Sequence, residues 1–139
     1  MTALRVLIVD DHDITRRAIR SFLVSYPELQ ICGEAADGFE AVDKAKSLRP
    51  DVILMDISMP RLNGLEATKL IQKENLNTKV IIVSQNDPAV VGLQAREAGA
   101  AGYISKKDIG QQLLPILRGV MDQRAGGPGV VFEFGAPRP

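Results

Sequence analysis

Asp10, Asp11, Asp56, Ser84 and Lys106 have the types to do chemistry together. Each follows or closes a short apolar run. Asp10 and Asp11 follow Leu4-Arg5-Val6-Leu7-Ile8-Val9, and Asp56 follows Val52-Ile53-Leu54-Met55. Ser84 follows Val80-Ile81-Ile82-Val83, and Lys106 follows Gly102-Tyr103-Ile104-Ser105. Three carboxylates in one crevice repel, each close pair by about 4 kcal/mol at ~4 Å and an effective dielectric near 20. Positive charge must offset this. Lys106 supplies one charge, and a hard divalent cation with oxygen ligands and retained water, Mg²⁺, suits the rest. No His or Cys is expected in the cluster, which argues against Zn²⁺. His12, next in sequence, reads as a loop residue. A carboxylate beside Mg²⁺, a lysine and a hydroxyl is a good nucleophile toward phosphorus. The cations neutralise the incoming oxygens, and the Ser84 hydroxyl can donate to one of them.

These residues act together only if the strands before them share a direction. Short apolar runs bounded by polar or turn residues read as strands buried on both faces. Residues 4–9, 52–55, 80–83 and 102–105 fit that description. Residues 29–35 read as a weaker strand near a sheet edge, because Gln30 and Glu34 interrupt it. Helical periods fall between the strands, at 14–26, 39–48, 65–73, 87–98 and from 108 or 110 to 123. In the first, Ile14, Ala18 and Phe22 form the apolar stripe, widened by Ile19 and Leu23. Arg16, Arg17 and Arg20 take the opposite, solvated face, with Arg16 and Arg20 repelling at i, i+4. Asp87-Pro88 is a helix start, and Gly99 a helix stop. Pro115 is expected to disturb the last helix. Alternating strands and helices predict a parallel sheet covered on both faces with right-handed crossovers. All the strand ends then meet at one edge, where α/β folds place their chemistry. Coincidence explains any one polar strand end; it explains four poorly.

The length suits one domain. Lys+Arg and Asp+Glu number 17 each, so no global basic field draws in nucleic acid. The single cysteine, Cys32, rules out an intrachain disulfide and a thiolate metal cluster, and reads as a small core residue. No apolar run approaches a membrane span and no signal peptide precedes the first strand, so the expected compartment is the cytoplasm. Residues 125–139, rich in Gly and Pro, read as a disordered tail containing a β-prone island, Val130-Val131-Phe132-Glu133-Phe134. The expected domain covers residues 1–124.

Together these stretches resemble the receiver domain of two-component response regulators. The matching residues are Val9-Asp10-Asp11-His12, Met55-Asp56-Ile57-Ser58-Met59-Pro60 with Gly64, Val83-Ser84, and Gly102-Tyr103-Ile104-Ser105-Lys106. The resemblance implies a flavodoxin-like, doubly wound five-stranded parallel sheet of order 2-1-3-4-5. It implies that Asp56 accepts a phosphoryl group from a phosphohistidine on a histidine kinase or histidine phosphotransfer protein. Asp11, Asp56 and the Ser58 backbone carbonyl would ligate Mg²⁺, and Asp10 would act through water. Ser84 and Tyr103 would be a switch pair, and Lys106 would hold the phosphoryl oxygens. The chain would then catalyse only its own phosphorylation and dephosphorylation. It would signal to a downstream protein partner through the surface formed by residues 87–123, with homodimerisation possible, and without touching nucleic acid or membrane. Lys107 stands where many members have proline, a variant seen in NarL/FixJ-type regulators. Those usually continue into a DNA-binding domain, which this sequence does not show.

Three other readings compete. A flavin-binding electron carrier needs a Ser/Thr/Gly-rich loop after the first strand, where Asp10-Asp11-His12-Asp13 has the wrong charge. A haloacid-dehalogenase-type hydrolase needs Asp-x-Asp after its first strand. A degenerate receiver would bind partners without phosphorylation.

Overall fold

The computed structural model describes residues 3–74 and 76–124; the tail expected over 125–139, with its β-prone island, lies outside them. Strands β1 (Leu4–Val9), β2 (Leu29–Ala35), β3 (Val52–Met55), β4 (Lys79–Ser84) and β5 (Gly102–Ser105) form one parallel sheet of order β2-β1-β3-β4-β5. Helices α1 (Asp13–Leu23), α2 (Gly38–Leu48), α3 (Gly64–Lys73), α4 (Pro88–Glu97) and α5 (Ile109–Arg124) alternate with them, and a 3₁₀ turn (Lys106–Asp108) precedes α5.

The alternation of side chains along a strand splits the core in two. Ile53 and Met55 face α2, α3 and α4, where Ala45, Ala67, Ile71 and Ala95 are buried. Val52 and Leu54 face α1 and α5, where Ile19, Leu23, Leu113 and Leu117 are buried. Both faces of β3 are therefore dry, which is why its sequence is a continuous apolar run. β2 lies at the edge as expected, with its register against β1 shifting at Cys32. Cys32 is only half-buried and packs on the α2 side of the core.

Caps set several boundaries. Asp87 accepts the Ala89 amide (2.9 Å) ahead of Pro88, as expected. Gly99, at φ +100°, follows α4 in the left-handed conformation that glycine adopts without cost. Asp37, read only as part of a turn, caps α2 through the Glu40 amide (2.9 Å). Asn63 and Glu66 form a capping box at α3. The Asn63–Glu66 spacing was in the sequence. Pro115 sits within an uninterrupted α5; it is exposed, as is Gln111, whose carbonyl loses its helical donor and can turn to water.

Helix α1 corrects the sequence reading. Ile14 is 81% exposed and Ala18 is exposed, while Ile19 and Leu23 carry the burial. The buried face is rotated because Arg16 turns inward. Its side chain is 16% exposed, and its Nε donates to Glu34 (3.1 Å). Arg20 also donates to Glu34. One carboxylate between two guanidiniums replaces the expected repulsion. Arg17 and Arg20 both stay exposed, as expected, and only Arg16 leaves the solvated face.

Candidate functional site

The sheet order brings the ends of β1 and β3 side by side. Val9 pairs with Met55, and Met55 with Ile82. The Asp56 amide donates to Val9 O (2.9 Å) and the Asp10 amide to Ala35 O (3.1 Å), so the ladder continues one residue past each strand. Asp10 is 2% exposed and Asp56 4%. Lys106, leaving β5, sets Nζ 2.8 Å from Asp10 Oδ2 and 3.5 Å from Asp56 Oδ1. Asp11 stays at the exposed rim.

The loop carrying Asp56 is clamped against two helices. The Ile57 amide donates to Asp56 Oδ1 (2.9 Å), and the Gly64 amide to Ile57 O (2.8 Å). A Cβ on Gly64 would lie 1.8 Å from Asp56 O, so only glycine fits. The Gly38 amide donates to Leu62 O (3.1 Å), and a Cβ there would meet that oxygen at 2.3 Å. Arg61, with φ 68°, reaches back to the carboxylate of Asp37. The Glu40 amide and then Arg61 hold the Asp37 carboxyl below its ordinary range. Ser58 lies on the exposed side of this loop.

The loop between β1 and α1 is fixed from Arg16, whose Nη1 donates to Asp10 O (2.6 Å). The His12 amide donates to Asp10 Oδ1 (2.8 Å). The His12 ring, expected to be apart from the cluster, belongs to it: Nδ1 lies 3.1 Å from both Asp10 Oδ1 and Asp11 Oδ1. Sequence reasoning missed it because adjacency in sequence does not say where an imidazole turns. Arg16 and Arg61 were equally invisible, since their partners lie 18 and 24 residues away.

Burial and the charge of Asp10 push the Asp56 carboxyl up to about 6, against the opposing pull of Lys106. For Lys106, burial disfavours the charge, but Asp10 and Asp56 outweigh it and raise its value. One lysine thus leaves net negative charge in the crevice. Asp10, Asp11, His12 and Asp56 each offer a ligand atom, all within 4.8 Å of one another. Three carboxylates fit the hard-cation chemistry of Mg²⁺.

Ser84 ends β4 opposite Ser105, and its Oγ accepts the Asn86 amide (3.0 Å). Tyr103 is 6% exposed, and its hydroxyl donates to Asn86 O (2.7 Å). Burial raises its value. Both residues thus grip the loop from β4 to α4.

This constellation has relatives. The family model for the response regulator receiver domain matches residues 6–118. The chain belongs to that family. A receiver domain is a two-component signalling module, and that family sets aside the flavin-carrier and dehalogenase readings. The receiver is 42% identical over 103 residues to response regulator GacA of Pseudomonas viridiflava, covering 74% of this chain and 48% of that protein. It therefore spans about half the length of that curated relative. Among solved structures, the response regulator domain of Thermotoga maritima CheB superposes with TM-score 0.80 at 39% identity, covering 86% of this chain and 97% of that one. A CheY of Borrelia burgdorferi, solved with CheX, BeF₃ and Mg²⁺, gives TM-score 0.74 at 27% identity, covering 83% and 90%. Among the described residues, no helix is long and apolar enough to cross a membrane.

Proposed function

We propose that this receiver accepts a phosphoryl group on Asp56, with Mg²⁺ bound at Asp11, Asp56, the Ser58 carbonyl and, through water, Asp10. The observation that carries the reading is the position of Asp56: a buried carboxylate at a strand end, with Lys106 3.5 Å from Oδ1 and Asp10 alongside. Its hydrogen bond from Ile57 falls on Oδ1, which leaves Oδ2 as the attacking oxygen. In the step, the Oδ2–P bond forms as the P–N bond of a phosphohistidine breaks, and the imidazole leaves with the electron pair. Lys106 holds the transferred oxygens, and the Ser84 hydroxyl donates to one of them. When bound, Mg²⁺ neutralises charge on the phosphoryl oxygens. The donor is a histidine kinase or histidine phosphotransfer protein, and the chain turns over no other substrate. Its compartment is the cytoplasm, where such donors present their phosphohistidine. The unit that does this is the domain over residues 1–124.

The output is a protein-binding surface. Ser84 Oγ accepts the Asn86 amide and turns its own proton to the phosphoryl group, drawing that loop with it. Tyr103 holds the same loop through Asn86 O, so the change reaches α4, β5 and α5. Val90 and Leu93 are 71% and 66% exposed on α4, an apolar face available to a downstream partner or a second copy. The energy available is the difference in phosphoryl contacts between two states, so the response is a population shift. Amide exchange with and without beryllofluoride and Mg²⁺ tests the reading. Changes are expected at the Asp56 loop and across residues 87–123. Changes confined to the Asp56 loop would leave a phosphate sink with no switch.

A further inference from the structure

We propose that His12 is a metal ligand through Nδ1, and that it opens this site to borderline transition metals such as Ni²⁺, Co²⁺ and Zn²⁺. The inference rests on the metal site proposed above and extends it to a second class of cation. Nδ1 lies 3.1 Å from Asp10 Oδ1 and 3.1 Å from Asp11 Oδ1. Neighbouring ligands of an octahedral ion with bonds of about 2.1 Å stand about 3 Å apart. The imidazole and the Asp11 carboxylate are therefore already spaced like neighbouring ligands of one ion, with Asp10, which acts through water, beside them. Asp56 completes a set whose donor atoms all lie within 4.8 Å of one another.

Nδ1 also makes a hydrogen bond to Asp10 Oδ1, the contact that turns the ring into the cluster. His12 occupies the N-cap position of α1, yet makes no side-chain capping bond. Its ring is 65% exposed, so packing neither requires nor prevents its present orientation. Its backbone amide, held by Asp10 Oδ1 at 2.8 Å, fixes where the ring starts. Imidazole adds little for Mg²⁺, which prefers oxygen, but strengthens binding of later first-row metals. The site then ranks cations by the nitrogen donor, with Ni²⁺ and Zn²⁺ displacing Mg²⁺ at equal concentration.

The experiment is calorimetric titration of the tag-free full chain with Mg²⁺ and with Ni²⁺, in the parent, His12→Ala, Asp11→Ala and Cys32→Ser. His12 is the only histidine in the sequence, so its ring signals are unambiguous. Ni²⁺ should bind the parent more tightly than Mg²⁺, and His12→Ala should lower the Ni²⁺ to Mg²⁺ affinity ratio about tenfold or more. Co²⁺ should shift the His12 ring resonances of the parent far from their diamagnetic positions. Cys32→Ser should keep the parent ratio. An unchanged ratio in His12→Ala, unshifted ring resonances, or loss of the ratio in Cys32→Ser overturns the inference. Binding that needs Asp11 but ignores His12 overturns it alone. Binding of both metals that ignores Asp11 removes the underlying metal site as well.

Discussion

Asp56 holds its proton to about pH 6 because burial and the Asp10 charge outweigh Lys106. A carboxyl raised above its unfolded value favours the native state only while protonated. That contribution is full below about pH 4 and is lost as pH rises through about 6. In a metal chelator, Asp56→Asn should therefore be more stable than the parent by about 2–3 kcal/mol at pH 8, with the difference vanishing near pH 4. Thermal denaturation at the two values checks this; equal stability of the two proteins at pH 8 would contradict it. The same repulsion predicts the response to metal. At a hundredfold excess over Kd, Mg²⁺ should stabilise the parent by about 2.7 kcal/mol, and Asp11→Ala should lose most of that. A melting temperature indifferent to Mg²⁺ in the parent would count against the site. The polar strand ends were legible because a fully buried strand must be apolar until it leaves the core. Asp56 therefore stood out after Met55, and Lys106 after Ser105. The turn of the His12 ring toward Asp10 and Asp11 was not legible, because it depends on loop conformation.

At the scale of elements, the acceptor is aimed by its neighbours. Gly64 opens α3 with no room for a Cβ beside Asp56 O. Gly64→Ala must push the acceptor loop away, and is expected to cost about 2–4 kcal/mol, measured by denaturant unfolding. A cost below that of an ordinary surface substitution would show that the loop yields freely. Arg16 joins α1 to Asp10 O and to Glu34 on β2. Arg16→Ala takes that donor from Asp10 O and leaves Glu34 with Arg20 as its remaining guanidinium, an expected loss of about 1–3 kcal/mol in the same assay. The elements themselves were readable from period and caps, as with Asp87-Pro88 and Gly99. The orientation of α1 was not. Periodicity ranks Ile14, Ala18 and Phe22 by hydrophobicity alone, whereas the fold buries Arg16 to satisfy Glu34 and leaves Ile14 in water. Here a specific ion pair prevails over an apolar stripe.

At the scale of the molecule, the order β2-β1-β3-β4-β5 places two acidic strand ends side by side and brings Lys106 in from the far edge strand. The parallel sheet was legible from the alternation of runs and helices. The order came from the receiver resemblance, since nothing local in β4 says which strand it neighbours. The proposed role of this geometry is to make Asp56 a Mg²⁺-dependent phosphoryl acceptor. Its most direct test is intact mass after incubation with phosphoramidate, with and without Mg²⁺, for the parent and Asp56→Asn. One added phosphoryl group is expected on the parent with Mg²⁺, and none on Asp56→Asn. Undiminished labelling of Asp56→Asn, or a parent that gains no mass with Mg²⁺, would contradict it.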